Sequence, residues 1–274
     1  GRHIEDFVLA PGMTDYRKRL QYQVYDITED IKDGNEIIFR LGDGWYRGCV
    51  AAYSAEYVFG MRTALLAQIE VTYADGSREV IGTDETFQWC NAGPLRFADM
   101  KDGEDYDARP QPGFGGRAVL LKEKNPVIPT ASDNVPVRKK ERFIPKLLVA
   151  EDGTSVLDFG QNIAGMLHFS IQGKSGQRIR IVCGEVLGKD GKVDLSGVLE
   201  TKPAKGWSQM SLVKKLMGAE LKGDIVRMPK QEIRMICSGG TDEFENSFSI
   251  FGFRYAQITT EEGRELKIDP EDFE

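Results

Sequence analysis

The chain has 274 residues, and this length indicates about two domains, since single domains commonly hold about 100–200 residues. Hydrophobic residues make up 41% and aromatic residues 9%, which is typical of a globular protein and excludes a disordered chain. With 36 basic and 43 acidic residues the formal net charge is −7, so we expect no nucleic-acid partner. The apolar runs are shorter than the about 20 residues of a membrane-spanning helix, so we expect no membrane partner either.

Alternation of apolar and polar side chains predicts strands in the first half of the chain. Residues 20–27 and 36–41 are predicted as strands, and residues 65–73 alternate with a period of two, which places one set of side chains on a core face. Asp75 and Gly76 follow this run. An Asp-Gly pair between alternating runs indicates a tight hairpin, because glycine supplies the positive φ that the turn requires.

The second half repeats this pattern. Short alternating strands with frequent turns predict an all-β fold of two antiparallel β-sandwich domains, jelly-roll or concanavalin-like, with one short helical insertion. The helix is predicted from an apolar stripe that steps by three and four residues. The features of this half are Asp-Gly turns at 152–153 and 190–191, strands over 166–171, 178–183, 233–237 and 248–258, and the helix over 207–221.

Prolines concentrate in residues 110–145. Because proline fixes φ and removes a hydrogen-bond donor, this segment is predicted as an extended connection, with one short strand at 118–122. We place the domains at residues 1–112 and 113–274. The mixed charge run at 138–142 is interpreted as a solvated linker, not a nucleic-acid surface.

Cysteine and histidine usage favours structural roles. The four cysteines are widely spaced and there are only two histidines, so the clustered ligands of a zinc site are missing from the pattern. Reduced, mostly buried thiols and a polar first segment lead us to expect a cytoplasmic protein, with a secreted or periplasmic location left open. His168 is interpreted as a structural histidine, and the abundant carboxylates alone do not identify a glycosidase pair.

Two loop regions, residues 41–57 and 93–109, combine acids with aromatic side chains. Carboxylates accept paired hydrogen bonds from sugar hydroxyls, and aromatic faces pack on the apolar face of a pyranose. Oxygen-rich loops also suit Ca²⁺, for which Asp43 is the candidate ligand. Composition alone favours a simpler interpretation, namely capped and salt-bridged turns at the end of a sandwich. The candidate carbohydrate-binding residues are Asp43, Trp45, Tyr46, Arg47, Tyr57, Asp99, Asp102 and Glu104.

Several ordered motifs resemble bacterial α-L-rhamnosidases of glycoside hydrolase family 78. One group resembles the N-terminal β-sandwich of the family, and a second group resembles its concanavalin-like domain. The first group is 10–19 (APGMTDYRKR), 41–48 (LGDGWYRG), 63–68 (TALLAQ), 83–85, 93–94 and 102–109 (DGEDYDAR), and the second is 158–165 (DFGQNIAG), 184–187 (GEVL) and 251–255 (FGFRY).

This resemblance implies a non-catalytic N-terminal fragment of an enzyme that hydrolyses terminal α-L-rhamnose from glycosides. The catalytic acids of the family lie in an (α/α)₆ barrel, which is expected beyond Glu274. The resemblance also implies that one strand precedes Gly1 and that residues 200–228 are an insertion.

The resemblance leaves three roles open for these domains. They bind an L-rhamnose-containing carbohydrate, with calcium in some family members. Alternatively, they form a purely structural scaffold that packs against the catalytic barrel and shapes it. A third reading is that they complete the catalytic domain of another chain.

Overall fold

The all-β prediction is confirmed. Within the described residues the structure has fifteen strands, one α-helical turn and one 3₁₀ turn. The predicted helix and the insertion at 200–228 lie outside the described residues. The computed structural model describes residues 4, 7–32, 34, 36–50, 56–122, 126–133, 135–196, 229–261 and 266–274.

The strands are short in the first half and longer in the second. The helical turn α1 is Gly44–Arg47, and the 3₁₀ turn is Pro270–Asp272. The strands are β1 Gln21–Tyr22, β2 Gln68–Thr72, β3 Arg78–Gly82, β4 Gln88–Cys90, β5 Leu95–Asp99, β6 Gly103–Asp107, β7 Gly115–Arg117, β8 Thr130–Ala131, β9 Lys146–Val149, β10 Ser155–Gly165, β11 His168–Gln172, β12 Arg178–Gly184, β13 Glu232–Ile236, β14 Thr241–Glu245 and β15 Phe251–Thr260.

The Asp-Gly turns form where they are predicted. Strands β2 and β3 make an antiparallel hairpin around Gly76, which has φ 85°. Asp75 Oδ1 accepts the backbone N–H of Ser77 and closes this turn. Strands β9 and β10 form a second hairpin around Gly153, with φ 87°. Local turn chemistry therefore determines these connections, because few residue types other than glycine adopt positive φ without strain.

A seven-stranded sheet in the order β5-β6-β13-β12-β15-β10-β9 is the largest element. Its neighbours pair antiparallel except β6 and β13, which run parallel with Glu104 opposite Ile233. Strands β5 and β6 precede the predicted boundary at 112/113, and the other five strands follow it. One hydrogen-bonded sheet therefore crosses that boundary, while the division of the chain into 1–112 and 113–274 stays a prediction.

The core lies between the inner face of this sheet and a second layer formed by the β11–β14 pair. Phe169 on β11 is fully buried and lies 5.4 Å from the ring of Phe244 and 5.6 Å from that of Phe273, centroid to centroid. Apolar side chains from both layers share one buried cluster, as a sandwich requires. Its members include Leu157, Phe159, Ile179, Ile181, Ile233, Met235, Phe251, Phe253 and Ile258.

Four predicted strands differ from the structure. The strand predicted at 118–122 does not form, because the ladder between β4 and β7 ends at Arg117. Within 20–27 only β1 forms, since it finds just the short parallel partner β8. The described residues of 36–41 form no strand, and their Ile38 is exposed. The last strand begins at Phe251 instead of residue 248, because the backbone N–H groups of residues 247–249 donate to a carboxylate and not to a neighbouring strand.

Three of the four cysteines are buried, as the prediction of mostly buried thiols requires. Cys49, Cys183 and Cys237 are buried and Cys90 is exposed. Burial raises the pKa of Cys237 to about 11, with the Asp242 carboxylate acting in the same direction, which disfavours the reactive thiolate. The cellular compartment stays a prediction. Among the described residues, no helix has the length and apolar character that crossing a bilayer requires.

Asp158 on β10 pairs with Arg254 on β15 through two hydrogen bonds of 2.8 and 2.9 Å. Its carboxylate also accepts the backbone N–H of Gly160. The register between β10 and β15 shifts between Asp158 and Ile163, so this pair fixes the strands where the ladder is interrupted. The hydrogen bonds from Arg254 hold the pKa of Asp158 below its usual value of 3.8.

We expect Asp158→Asn to lower the free energy of unfolding at pH 7 by about 1 kcal/mol, because solvent partly screens this part-buried pair. The depressed pKa of Asp158 contributes stability above pH 3.8, and this contribution is lost as pH falls through the folded-state pKa. Urea unfolding at pH 7 and near pH 2 measures both effects. If the free energies of unfolding of the parent and of Asp158→Asn differed equally at both pH values, the stabilising role of the Asp158 carboxylate would be contradicted.

Candidate functional site

The loop before β2 carries a single helical turn, α1, that begins after Asp43. Arg47 Nη1 donates to Asp43 Oδ1 at 2.8 Å, and the backbone N–H of Arg47 donates to the Asp43 carbonyl at 3.0 Å. Gly44 has φ 51°, a conformation that favours glycine. The Asp-Gly sequence therefore starts the turn, and the side-chain pair closes it.

Aromatic rings brace α1 from the inside. The ring of Tyr46 lies 5.5 Å from that of Tyr16, and Tyr16 meets Phe59 edge-to-face at 4.9 Å. The hydroxyl of Tyr16 donates to the carbonyl of Gly12 at 2.7 Å, and burial raises the pKa of Tyr16. Such edge-to-face pairs stabilise beyond the area that they bury. Tyr46 therefore has a packing role beneath the loop.

Tyr57 lies on the outer side of the same loop. Its ring is within 5.8 Å of the Arg47 guanidinium carbon, and its backbone N–H donates to the Arg47 carbonyl at 3.1 Å. Tyr57 is exposed and Trp45 is half-buried. The loop thus brings together a carboxylate, a guanidinium and two aromatic side chains, all within fifteen residues of sequence.

Asp99 connects this loop to the β5–β6 hairpin. Its Oδ2 accepts the backbone N–H of Cys49 at 2.8 Å, directly after α1. Its Oδ1 accepts the backbone N–H groups of Lys101 and Asp102 at 2.9 and 3.0 Å. Asp99 is buried, so its carboxylate holds two loops together from the inside.

Asp102 and Glu104 are also buried. Asp102 lies 3.3 Å from the Lys230 ammonium group. Glu104 Oε1 accepts four hydrogen bonds, from the backbone N–H groups of Ser247, Phe248 and Ser249 and from the Ser249 hydroxyl, at 2.8–3.1 Å. Burial raises the pKa of Glu104 above its usual value, although these hydrogen bonds act in the opposite direction.

A small cleft of about 150 Å³ lies on the outer face of β5, β6 and β13. Phe97, Asp105, Lys230 and Arg234 line it, together with the predicted residues Asp102 and Glu104. Burial raises the pKa of Asp105, while the charge of Arg234 acts to lower it. Glu232 pairs with both Arg180 and Arg234. The charges of this cleft are therefore largely balanced within the protein.

His168 is half-buried at the start of β11, and its structural role stays a prediction. Its backbone pairs with Glu274, N–H to carbonyl in both directions at 2.8 and 2.9 Å. Its Nε2 lies 3.0 Å from Glu243 Oε1. The ring thus lies between the carboxylates of Glu243 on β14 and Glu274, with Nδ1 3.5 Å from Glu274 Oε1.

The surroundings of Asp43 do not fit calcium. Its carboxylate is engaged by the Arg47 guanidinium, a cation that would repel a metal ion. No group of three or more His, Cys, Asp or Glu side chains in the described part of the chain has the arrangement of a metal site. Because Ca²⁺ requires six to eight oxygen ligands, we derive no binding step through calcium.

The eight candidate residues fall into two sets. Asp43, Trp45, Tyr46, Arg47 and Tyr57 gather at α1, whereas Asp99, Asp102 and Glu104 are buried partners of backbone or lysine groups. The sequence interpretation missed Tyr16 and Phe59, which brace the loop. Tyr16 lies in the motif at 10–19, so its aromatic side chain was the available signal.

Comparison with known proteins supports one family. The model of the α-L-rhamnosidase N-terminal domain matches residues 1–140, and that of the bacterial α-L-rhamnosidase concanavalin-like domain matches residues 149–274. An α-L-rhamnosidase of Streptomyces avermitilis is 34% identical over 271 residues, covering 94% of this chain and 24% of that protein. An α-L-rhamnosidase of Formosa agariphila is 28% identical over 275 residues, covering 94% and 26%.

Solved structures agree with these matches. The S. avermitilis α-L-rhamnosidase complexed with L-rhamnose superimposes with a TM-score of 0.77 at 30% identity, covering 100% of this chain and 25% of that one. The α-L-rhamnosidase of Dictyoglumus thermophilum gives 0.73 at 28% identity, covering 100% and 28%. The chain spans about a quarter of the length of the curated relatives it matches. With nearly every residue matched by one of the two family models, the chain belongs to the α-L-rhamnosidases of glycoside hydrolase family 78, within which it corresponds to the N-terminal and concanavalin-like domains.

Proposed function

We propose that this chain is the non-catalytic front of an α-L-rhamnosidase and that its α1 loop binds an L-rhamnose-containing carbohydrate. The observation that carries the proposal is the arrangement at α1, where the Asp43–Arg47 pair lies beside exposed Tyr57 and half-buried Trp45. A carboxylate accepts hydrogen bonds from sugar hydroxyls, a guanidinium donates them, and aromatic faces pack on sugar C–H groups. The methyl group of rhamnose adds apolar surface that suits such rings.

The proposed sugar-contacting residues are Asp43, Trp45, Arg47 and Tyr57. Tyr46 supports the loop from beneath, since its ring packs against Tyr16. The three buried carboxylates on the β5–β6 hairpin hold the frame and are left out of the contacting set. The related S. avermitilis protein has been crystallised with L-rhamnose, which supports the choice of sugar for the titration.

Isothermal titration with L-rhamnose tests the proposal, once in EDTA and once with added Ca²⁺. We expect saturable binding in both buffers and a roughly ten- to hundredfold weaker affinity in Asp43→Ala, the effect of losing hydrogen bonds to a charged group. Asp75→Ala is the matched control, because Asp75 closes an exposed turn in another hairpin. Absence of heat at high sugar, or equal affinity in Asp43→Ala, would refute sugar binding at α1.

A scaffold role is the alternative proposal. Leu147, Leu148 and Val149 are exposed on β9, the edge strand of the large sheet, and an exposed apolar edge commonly marks a contact surface. The relatives are about four times longer than this chain, and their catalytic part is the proposed occupant of such a surface. A silent sugar titration with a folded protein would favour this role.

The whole enzyme is proposed to hydrolyse terminal α-L-rhamnose by inversion, with an acid and a base far enough apart to admit water. In this proposal both residues belong to the longer protein. Incubation with a chromogenic α-L-rhamnoside is expected to release no product from this chain alone. Measurable release would contradict the non-catalytic assignment.

A further inference from the structure

The loop that precedes α1 is packed against the turn between β14 and β15. Gly42 lies directly under the ring of Phe248, and a Cβ at residue 42 would lie 2.5 Å from Cδ1 of that ring. Real side-chain carbons do not approach so closely, so residue 42 can be only glycine while Phe248 keeps this position. Gly42 immediately precedes Asp43, the first residue of the proposed sugar-contacting set.

The turn that carries Phe248 is held by hydrogen bonds to two other segments of the chain and by hydrogen bonding within the turn. Glu104 Oε1 accepts the backbone N–H groups of residues 247–249. Asn246 is fully buried, and its Oδ1 accepts the backbone N–H of Leu167 at 2.6 Å. Its Nδ2 donates to the Ser249 carbonyl at 2.7 Å. Because it is hydrogen-bonded to Glu104 on β6 and to Leu167, the backbone of this turn has little freedom to yield to a change at Gly42.

We propose that Phe248 is a positioning residue for the α1 loop, so that a turn of the concanavalin-like part sets the conformation of the sugar-binding loop in the N-terminal part. The change in L-rhamnose affinity that this inference predicts rests on the proposed function. The physical basis is steric: the Phe248 ring fixes the path of the backbone at Gly42. A small displacement there moves Asp43 and Arg47 together, because they are joined by a side-chain and a backbone hydrogen bond.

The test uses a steric cycle of three variants, Gly42→Ala, Phe248→Leu and the double variant. All three variants are made in a Trp89→Phe, Trp207→Phe background. Trp45 is then the one remaining tryptophan, and its fluorescence emission reports on α1. Gly42→Ala is expected to shift Trp45 emission and to weaken L-rhamnose binding about tenfold, because displaced Asp43 and Arg47 side chains lose hydrogen bonding to the sugar. Phe248→Leu removes ring atoms, so adding it to Gly42→Ala is expected to restore both signals.

Gly82→Ala is the matched control, since a Cβ at residue 82 meets nothing within 4 Å. Thermal unfolding is measured for every variant to check that each one remains folded. The inference is overturned if Gly42→Ala leaves Trp45 emission unchanged, or if Phe248→Leu fails to relieve the defect of Gly42→Ala. If the parent protein binds no rhamnose, the proposed function fails, and the emission of Trp45 alone then decides the positioning role.

Discussion

Replacing Glu104 by alanine is expected to lower the free energy of unfolding by about 3–5 kcal/mol, one of the largest effects of any single substitution in this chain. One oxygen of this side chain accepts three backbone N–H groups and the Ser249 hydroxyl. Alanine would leave the buried donors of Ser249 and the part-buried N–H groups of Ser247 and Phe248 without this acceptor. A buried unsatisfied donor costs about 1–3 kcal/mol. Chemical denaturation of both proteins at pH 7 gives the difference directly.

Glu104→Gln is the control, because its amide oxygen can replace Oε1 as acceptor. Its expected loss is smaller than that of alanine, since the amide oxygen keeps an acceptor for the three backbone N–H groups and the Ser249 hydroxyl. The raised pKa of Glu104 means that the folded protein binds this proton more tightly than the unfolded chain. Stability of the parent should therefore fall as pH rises from about 4.5 through the folded-state pKa. Glu104→Gln should lack this pH-dependent contribution. The assignment would be contradicted if the stability of the parent and of Glu104→Gln changed equally with pH.

Truncation of Phe169 to alanine is expected to destabilise the protein by about 3–5 kcal/mol. The ring is fully buried and lies between Phe244 on β14 and Phe273 in the segment after β15. Its removal would leave a cavity at the point where the second layer packs on the large sheet. The loss of apolar burial and of aromatic contacts acts in the same direction.

Leu148→Ala provides the comparison for Phe169→Ala. Leu148 is an exposed apolar residue on edge strand β9, and its truncation is expected to change stability by no more than about 0.5 kcal/mol. Differential scanning calorimetry of the three proteins measures both changes. A loss below about 1 kcal/mol in Phe169→Ala would show that the two layers do not depend on this contact.

Turns and strands with local signals could be predicted from the sequence. The Asp75-Gly76 and Asp152-Gly153 hairpins form because their chemistry acts over a few residues. Partner choice could not be predicted in this way. Strand β11 is followed by a turn and then by β12, yet β11 pairs with β14, while β12 lies between β13 and β15. Alternation shows which face of a strand is apolar, but packing of the whole molecule decides which strand lies beside it.

The candidate site was predicted in part. The residues of α1 lie together because they are close in sequence, so a local motif was sufficient. The acidic run at 102–109 is typical of an exposed loop, but its residues 103–107 form β6, which is paired on both sides by β5 and β13. Its charges are tolerated there because Arg109 pairs with Asp107, Lys230 pairs with Asp102, and backbone donors surround Glu104. Arg109 belongs to the run itself, but Lys230 and the backbone donors at 247–249 are distant in sequence, so composition could not reveal them.

The parallel pairing of β6 with β13 has a consequence for biosynthesis. All residues between Asp107 and Glu232 must leave the ribosome before β6 can meet this neighbour. Closing so long a loop carries an entropic cost and slows folding. Until then the nascent chain holds a strand with an open edge, which chaperones would have to shield from aggregation. A genetic graft that moved the N-terminal domain alone into another protein would carry the same unpaired strand with it.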